Sequence, residues 1–178
     1  EVPPSLEEQK LIDSKVKKTQ MIMPNLLSLD RAVLQGLETL AAKVDNSVSI
    51  YFPPIRSQGG QGSCAAWATA YYYNTYTQAK DENINVSGGN NNHICSPAFI
   101  YNLNNHGEDS GSVLYSGMAR LNEVGVSSWN LMPYDQDDWT TWPSEAAWID
   151  AMKRRTAETF SIGSWSSGCN DADIELLK

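Results

Sequence analysis

Cys64 stands where a helix would begin. It follows the run Gln58, Gly59, Gly60, Gln61, Gly62, Ser63 and precedes Ala65, Ala66 and Trp67, in a stretch without Gly or Pro that continues to about Lys80. The reactive form of a cysteine is the thiolate, and a helix N-terminus favours that anion through the dipole and through backbone N–H groups that lack an intrahelical partner. The glycines let the backbone approach a bound molecule closely. Gln58, six residues before Cys64, offers a side-chain amide that joins the Cys64 backbone N–H as a pair of donors for an oxyanion. Each feature alone is weak, because a cysteine within a helix is by default a small buried hydrophobe. The two histidines, His93 and His106, lie in polar loops and read as solvent-exposed side chains rather than as the base that a cysteine nucleophile requires.

The elements that must hold these groups follow from pattern and punctuation. Upstream, Ile50 to Pro54 reads as an extended run whose prolines forbid a central strand, and a glycine-rich loop then delivers the chain to Cys64. Downstream, residues 81–92 are polar and rich in Asn and Gly, an exposed loop. Ser96 and Pro97 open a helix with Pro at its first position, where the missing N–H costs nothing. Asn104 to Ser112 is a second glycine-bearing loop. Leu114, Met118, Leu121 and Val124 then recur at helical spacing up to the stop at Gly125. A turn at Met132 to Asp135 leads to a helix capped by Ser144, and a last helix is expected near Asp171. Ahead of all this, Ser5 with Glu8 and then Ser28 mark two amphipathic stretches within residues 1–45.

The string from Gln58 to Trp67 resembles the nucleophile region of papain-like cysteine peptidases, in which Gln lies six residues before the catalytic Cys and Gly-Ser immediately precedes it. The resemblance runs over roughly residues 47–178 and is nearest to bacterial members. Ser96 and Pro97 are similar to the opening of the family's second helix. Gly107 to Ser112 stands where the family has a glycine-rich loop that pairs with the substrate backbone, with Gly111 the best match to the substrate-binding glycine. Leu121 to Val126 and then Pro133 and Tyr134 are similar to the helix, Gly stop and Pro-Tyr pair that follow. Two positions depart from the pattern. Gln61 replaces a cysteine that commonly forms a disulfide, and Ala65 replaces a common Trp, so the family's usual disulfides are not expected here.

The resemblance implies an α+β fold of two domains, with residues 46–178 forming the mainly helical left domain and the start of the crossover, and the β-rich right domain largely outside this chain. It implies peptide-bond hydrolysis through an acyl-enzyme on Cys64, with Gln58 at the oxyanion and Gly111, Ser110, Ser112, Gly62 and Ser63 around the substrate backbone. The family's base His and its Asn lie roughly 130–150 residues after the nucleophile, beyond Lys178. The expectation is therefore an N-terminal product of a cleaved enzyme whose C-terminal fragment supplies them. The alternative is an inactive papain-like binding or regulatory module. Residues 1–45 read as a helical extension or pro-segment, which would make the enzyme a processed zymogen.

The formal charge of −8, with fourteen acids against seven bases in residues 46–178, argues against nucleic acid and anionic membranes as partners, since both attract basic surfaces. No stretch reaches the roughly 18 apolar residues of a spanning helix. The expected setting is secreted or cell-surface, with any leader already removed, and the expected partner is a peptide or protein substrate. No cofactor or metal is expected: Asp135, Asp137 and Asp138 lack the other ligands of a known calcium loop. Three cysteines cannot all pair within one chain, and Cys95 and Cys169 read as structural. The tyrosines at 71, 72, 73 and 76 and the scattered tryptophans read as packing residues, and the sequon at Asn85 as a chance match.

Overall fold

The computed structural model describes Glu7 and residues 45–157. The extension within residues 1–44, Trp165, Cys169 and the helix expected near Asp171 lie outside the described residues.

The stretch after the glycine loop is one uninterrupted helix, α1, made of α-helical Cys64–Ala66, π-helical Trp67–Asn74 and α-helical Thr75–Asp81. It starts at Cys64 and ends within a residue of the point read from sequence. The sequence gives no sign of the wider middle, a geometry rare in proteins and common near functional sites. Inside it the Thr75 hydroxyl donates to the Ala70 carbonyl, five residues back.

Two helices pack on α1. The first, α2 (Pro97–Asn104), starts as its sequence demands: Ser96 is the N-cap, its hydroxyl accepts the Phe99 N–H at 3.3 Å, and Pro97 sits in the first turn. The second, α3 (Leu114–Glu123), approaches α1 closely at Gly117, where a Cβ would lie 2.6 Å from Thr69 Oγ1. A fourth helix, α4 (Glu145–Ala151), is capped by Ser144, whose hydroxyl accepts the Ala147 N–H at 3.2 Å, and runs into the 3-10 turn Met152–Arg154.

One core cluster gathers Ala66 and Ala70 of α1, Phe99, Ile100 and Tyr101 of α2, Leu121 of α3, and Ala147 and Ala151 of α4, with Trp148 packed edge-on to Phe99 at 5.2 Å. Burying a side chain such as Phe99 contributes about 1.5–3 kcal/mol. A second cluster joins Trp67, Tyr71, Val86 and Ile94. Among the described residues there is no strand. An isolated antiparallel bridge joins Cys95 and Ser128. The described body is thus mainly helical, as the sequence predicts for a left domain.

Smaller expectations need adjustment. Ile50 to Pro54 is not extended throughout, because Phe52 N–H closes a turn onto the Ser49 carbonyl at 3.0 Å. The polar loop 81–92 is mostly exposed, but Ile84, Gly89 and Asn91 are half-buried and Val86 is fully buried, its N–H and that of Ser87 both donating to the Ile50 carbonyl. Tyr71 is buried, Tyr72 and Tyr76 are half-buried, and Tyr73 is exposed. Trp142 lies exposed at the edge of the body.

Gly125, just past the end of α3, is where the fold tolerates no side chain. Its φ is +83°, and a Cβ would lie 1.9 Å from the Ala151 carbonyl oxygen at the end of α4. The left-handed conformation alone costs about 1–2 kcal/mol for a non-glycine residue, and the clash is with backbone, which cannot rotate away. Gly125→Ala is expected to lower unfolding stability by about 3 kcal/mol or more, read as a reduced midpoint in chemical or thermal unfolding. A shift under about 1 kcal/mol would mean that the junction between α3 and α4 is far softer than its geometry indicates.

Candidate active site

Cys64 is the first residue of α1 and its thiol is free and exposed. The residue before it, Ser63, is of the type that ordinarily caps a helix with its hydroxyl, yet it makes no side-chain cap here. The Tyr134 hydroxyl donates its single proton to the Gln58 carbonyl at 2.7 Å, so in its 2.7 Å contact with Ser63 Oγ the serine is the donor. The first-turn N–H groups of α1, which have no intrahelical acceptor, thus receive no cap from the Ser63 side chain.

The loop Gln58–Ser63 is held from two sides. The segment 134–138 grips one side. Besides the Tyr134 bridge, Gly60 N–H donates to Gln136 Oε1 at 3.1 Å, and buried Gln61 directs Nε2 at the carbonyls of Asp135, Gln136 and Asp138 at 3.2–3.4 Å. Gln61, at the position that the resemblance associates with a disulfide cysteine, thus fastens the loop by hydrogen bonds. The carboxylates of that turn act as backbone acceptors: Asp135 takes the Asp137 N–H, and Asp138 takes those of Thr140 and Thr141. A bond from the Thr141 hydroxyl first, and then these backbone bonds, hold the Asp138 carboxyl below its ordinary pKa.

The glycine loop after α2 grips the other side. Buried Asn105 anchors its foot, accepting the Gly107 N–H at 2.9 Å and donating to the Trp139 carbonyl at 2.6 Å. His106, Gly107 and Gly111 all take positive φ. The loop comes back against the Gln58–Ser63 loop so closely that a Cβ on Gly62 would lie 3.0 Å from Gly111 N and 3.1 Å from its Cα. Asp109 joins the two, its Oδ1 accepting Gly62 N–H at 2.8 Å and the Tyr101 hydroxyl as well. Burial, and then this bond to Asp109, push the Tyr101 hydroxyl far above its ordinary pKa.

The structure therefore brings Gln58, Gly62, Ser63, Cys64 and Gly111 into one place. Ser110 is exposed and Ser112 half-buried in the same loop. Gln58 Nε2 donates one hydrogen to the Gln61 carbonyl at 2.9 Å, and an amide nitrogen carries a second. Among the described residues neither histidine hydrogen-bonds the Cys64 thiol: His106 is exposed and His93, read from sequence as exposed, is half-buried. Cys95 is the opposite of Cys64. It is fully buried, its N–H on Thr75 Oγ1 at 2.9 Å, and burial pushes its thiol up from the ordinary value.

Behind Cys64 lies an aromatic block. Trp67 meets Tyr71 at 4.7 Å, Tyr134 at 5.0 Å and Trp129 at 5.8 Å, and the Arg56 guanidinium sits 4.5 Å over Trp129. The Tyr71 hydroxyl donates to the Pro54 carbonyl at 2.5 Å, fixing the chain on its way to the loop, and burial raises its pKa to about 12. Sequence reasoning singled out neither Asp109 nor Arg56. The one available signal was position, each lying within a few residues of a singled-out glycine or glutamine.

In a comparison of structures, the chain matches xylellain, a cysteine protease from Xylella fastidiosa, with a TM-score of 0.55 and 23% sequence identity. The match covers 67% of this chain and 48% of that one, so the chain spans about half of its length. No protein-family model and no curated protein matches the sequence. The likeness establishes a shared fold with a cysteine protease and supports the papain-like fold that the motifs imply.

Proposed function

We propose that this chain is the nucleophile-bearing left domain of a papain-like cysteine peptidase. The observation that carries the reading is the exposed Cys64 thiol at the start of α1, directly after a loop that holds the Gln58 amide and whose Gly62 lies against the Gly111 backbone. In the reaction, the thiolate attacks the carbonyl carbon of a peptide bond and the electron pair moves to oxygen. The Cys64 backbone N–H and the second Gln58 N–H stabilise that oxyanion. The amine leaves with a proton from the conjugate acid of the base, and water then attacks the thioester, releasing the acid and the thiol. The base and its orienting residue come from a following or separate polypeptide, the right domain of the assembled enzyme. Peptide or protein chains are the substrates, and residues 1–45 serve as an N-terminal extension or pro-segment. The second reading, a non-catalytic module of the same fold, is favoured only by the lack of an imidazole at the thiol among the described residues.

A peptidyl chloromethylketone tests the choice. With the polypeptide that supplies the base present, the reagent is expected to alkylate Cys64 and not Cys95, as located by mass spectrometry of the digested protein, and to abolish peptide cleavage. Cys64 left unmodified under those conditions would exclude the peptidase reading.

A further inference from the structure

We infer that Asp109 is a positioning residue that sets the distance between the substrate-binding loop and the nucleophile. The inference deepens the peptidase reading and rests on it. One carboxylate oxygen, Oδ1, takes two donors from two different elements: the Gly62 N–H of the nucleophile loop at 2.8 Å and the Tyr101 hydroxyl of α2. Asp109 itself belongs to neither. It lies two residues before Gly111, whose backbone is in contact with Gly62, which in turn lies two residues before Cys64.

The two donors differ in kind, and that difference gives the carboxylate its role. Tyr101 is buried in the core, so its hydroxyl is a fixed post. Gly62 has no side chain and cannot be held except through its backbone. With Asp109 in place, the loop that carries Gly111 is fastened both to the rigid α2 and to the loop that carries the thiol. Without it the two loops still touch at Gly62 and Gly111, and each keeps its own anchors, at Asn105 and at Gln61, but no hydrogen bond found in the described residues then joins them directly. A substrate backbone lying along Gly111 would then meet Cys64 over a range of distances, which weakens binding of the extended chain while leaving the thiol itself unchanged.

The test uses the assembled enzyme carrying Asp109→Ala, Asp109→Asn or Tyr101→Phe. Asp109→Ala is expected to raise KM for an extended fluorogenic peptide about tenfold with kcat changed less than about threefold, the pattern of lost uniform binding. Iodoacetamide, which needs no substrate loop, is expected to alkylate Cys64 at the wild-type rate. Asp109→Asn keeps an acceptor oxygen toward both donors and is expected to restore most of the KM. Tyr101→Phe, which retains the bond to Gly62, guards against a folding defect and is expected to give a smaller KM rise than Asp109→Ala.

Hydrogen exchange separates this inference from the function it rests on. Peptides covering residues 59–63 and 107–112 are expected to exchange faster together in Asp109→Ala, whether or not the protein cleaves peptides. If the wild-type enzyme cleaves nothing, the peptidase reading fails and exchange alone judges the tie. An unchanged KM, an Asp109→Asn variant as impaired as Asp109→Ala, or exchange in the two loops equal to wild type would each overturn the inference.

Discussion

Replacing Cys64 with serine is expected to lower kcat/KM for peptide hydrolysis at least about a thousandfold, with no comparable loss of stability. The change swaps one atom. The side chain is exposed, it makes no hydrogen bond among those found in the described residues, and a substitution at such a surface site usually moves stability by less than about 0.5 kcal/mol. What is lost is the sulfur nucleophile. A hydroxyl holds its proton far more tightly than a thiol and depends on a base positioned for it. Ser63 is bonded to Tyr134 and makes no side-chain cap at the start of α1. The check is kcat/KM on a fluorogenic peptide alongside the thermal midpoint, using the assembled enzyme. Activity within tenfold of wild type would mean that Cys64 is not the nucleophile. Activity lost together with stability would mean that the site has been misread as local when it is structural.

Much of the scaffold around that cysteine is legible in sequence because it is set by local rules. The start of α1 at Cys64, the Ser96 cap with Pro97 behind it, the stop after α3 at Gly125 and the Ser144 cap each depend on a few adjacent residues, and each is found where those residues put it. Juxtapositions over long stretches of chain are another matter. The Tyr134 hydroxyl meets the Gln58 carbonyl across 76 residues, and Asp109 meets Gly62 across 47. No periodicity encodes such a meeting. The resemblance to a family marked Gly111 and the Pro-Tyr pair as places of interest, but it did not say that Tyr134 draws Ser63 away from capping. The π-helical middle of α1 was equally hidden, because Trp67 to Asn74 is composed of residues that an ordinary helix accepts. Gln61 shows the limit most clearly. From sequence it is a missing disulfide, and in the structure it is a buried amide reaching three carbonyls.

Gln58→Ala carries the second large expectation: kcat/KM lower by about a hundredfold to a thousandfold, the range typical for removal of one oxyanion donor, with most of the loss in kcat. The side chain has two duties, and they separate in the measurement. One Nε2 hydrogen is on the Gln61 carbonyl at 2.9 Å, which holds the amide within its own loop. The other is the donor proposed for the oxyanion. The backbone of Gln58 is fixed independently, because its carbonyl accepts the Tyr134 hydroxyl at 2.7 Å, so truncating the side chain leaves the loop tethered at that end. Gln58→Ala should therefore disturb transition-state stabilisation more than the placement of Cys64. Gln58→Glu sharpens the reading: it preserves shape and reach but replaces the donor with a negative charge facing a developing negative charge, and is expected to be at least as slow as the alanine variant. Iodoacetamide, whose displacement reaction forms no oxyanion, should alkylate Cys64 at a rate within about threefold of wild type in Gln58→Ala, since no donor is needed for it. Equal losses in peptide hydrolysis and in iodoacetamide alkylation would assign Gln58 to holding the thiol, and an unaffected kcat would remove it from the reaction altogether.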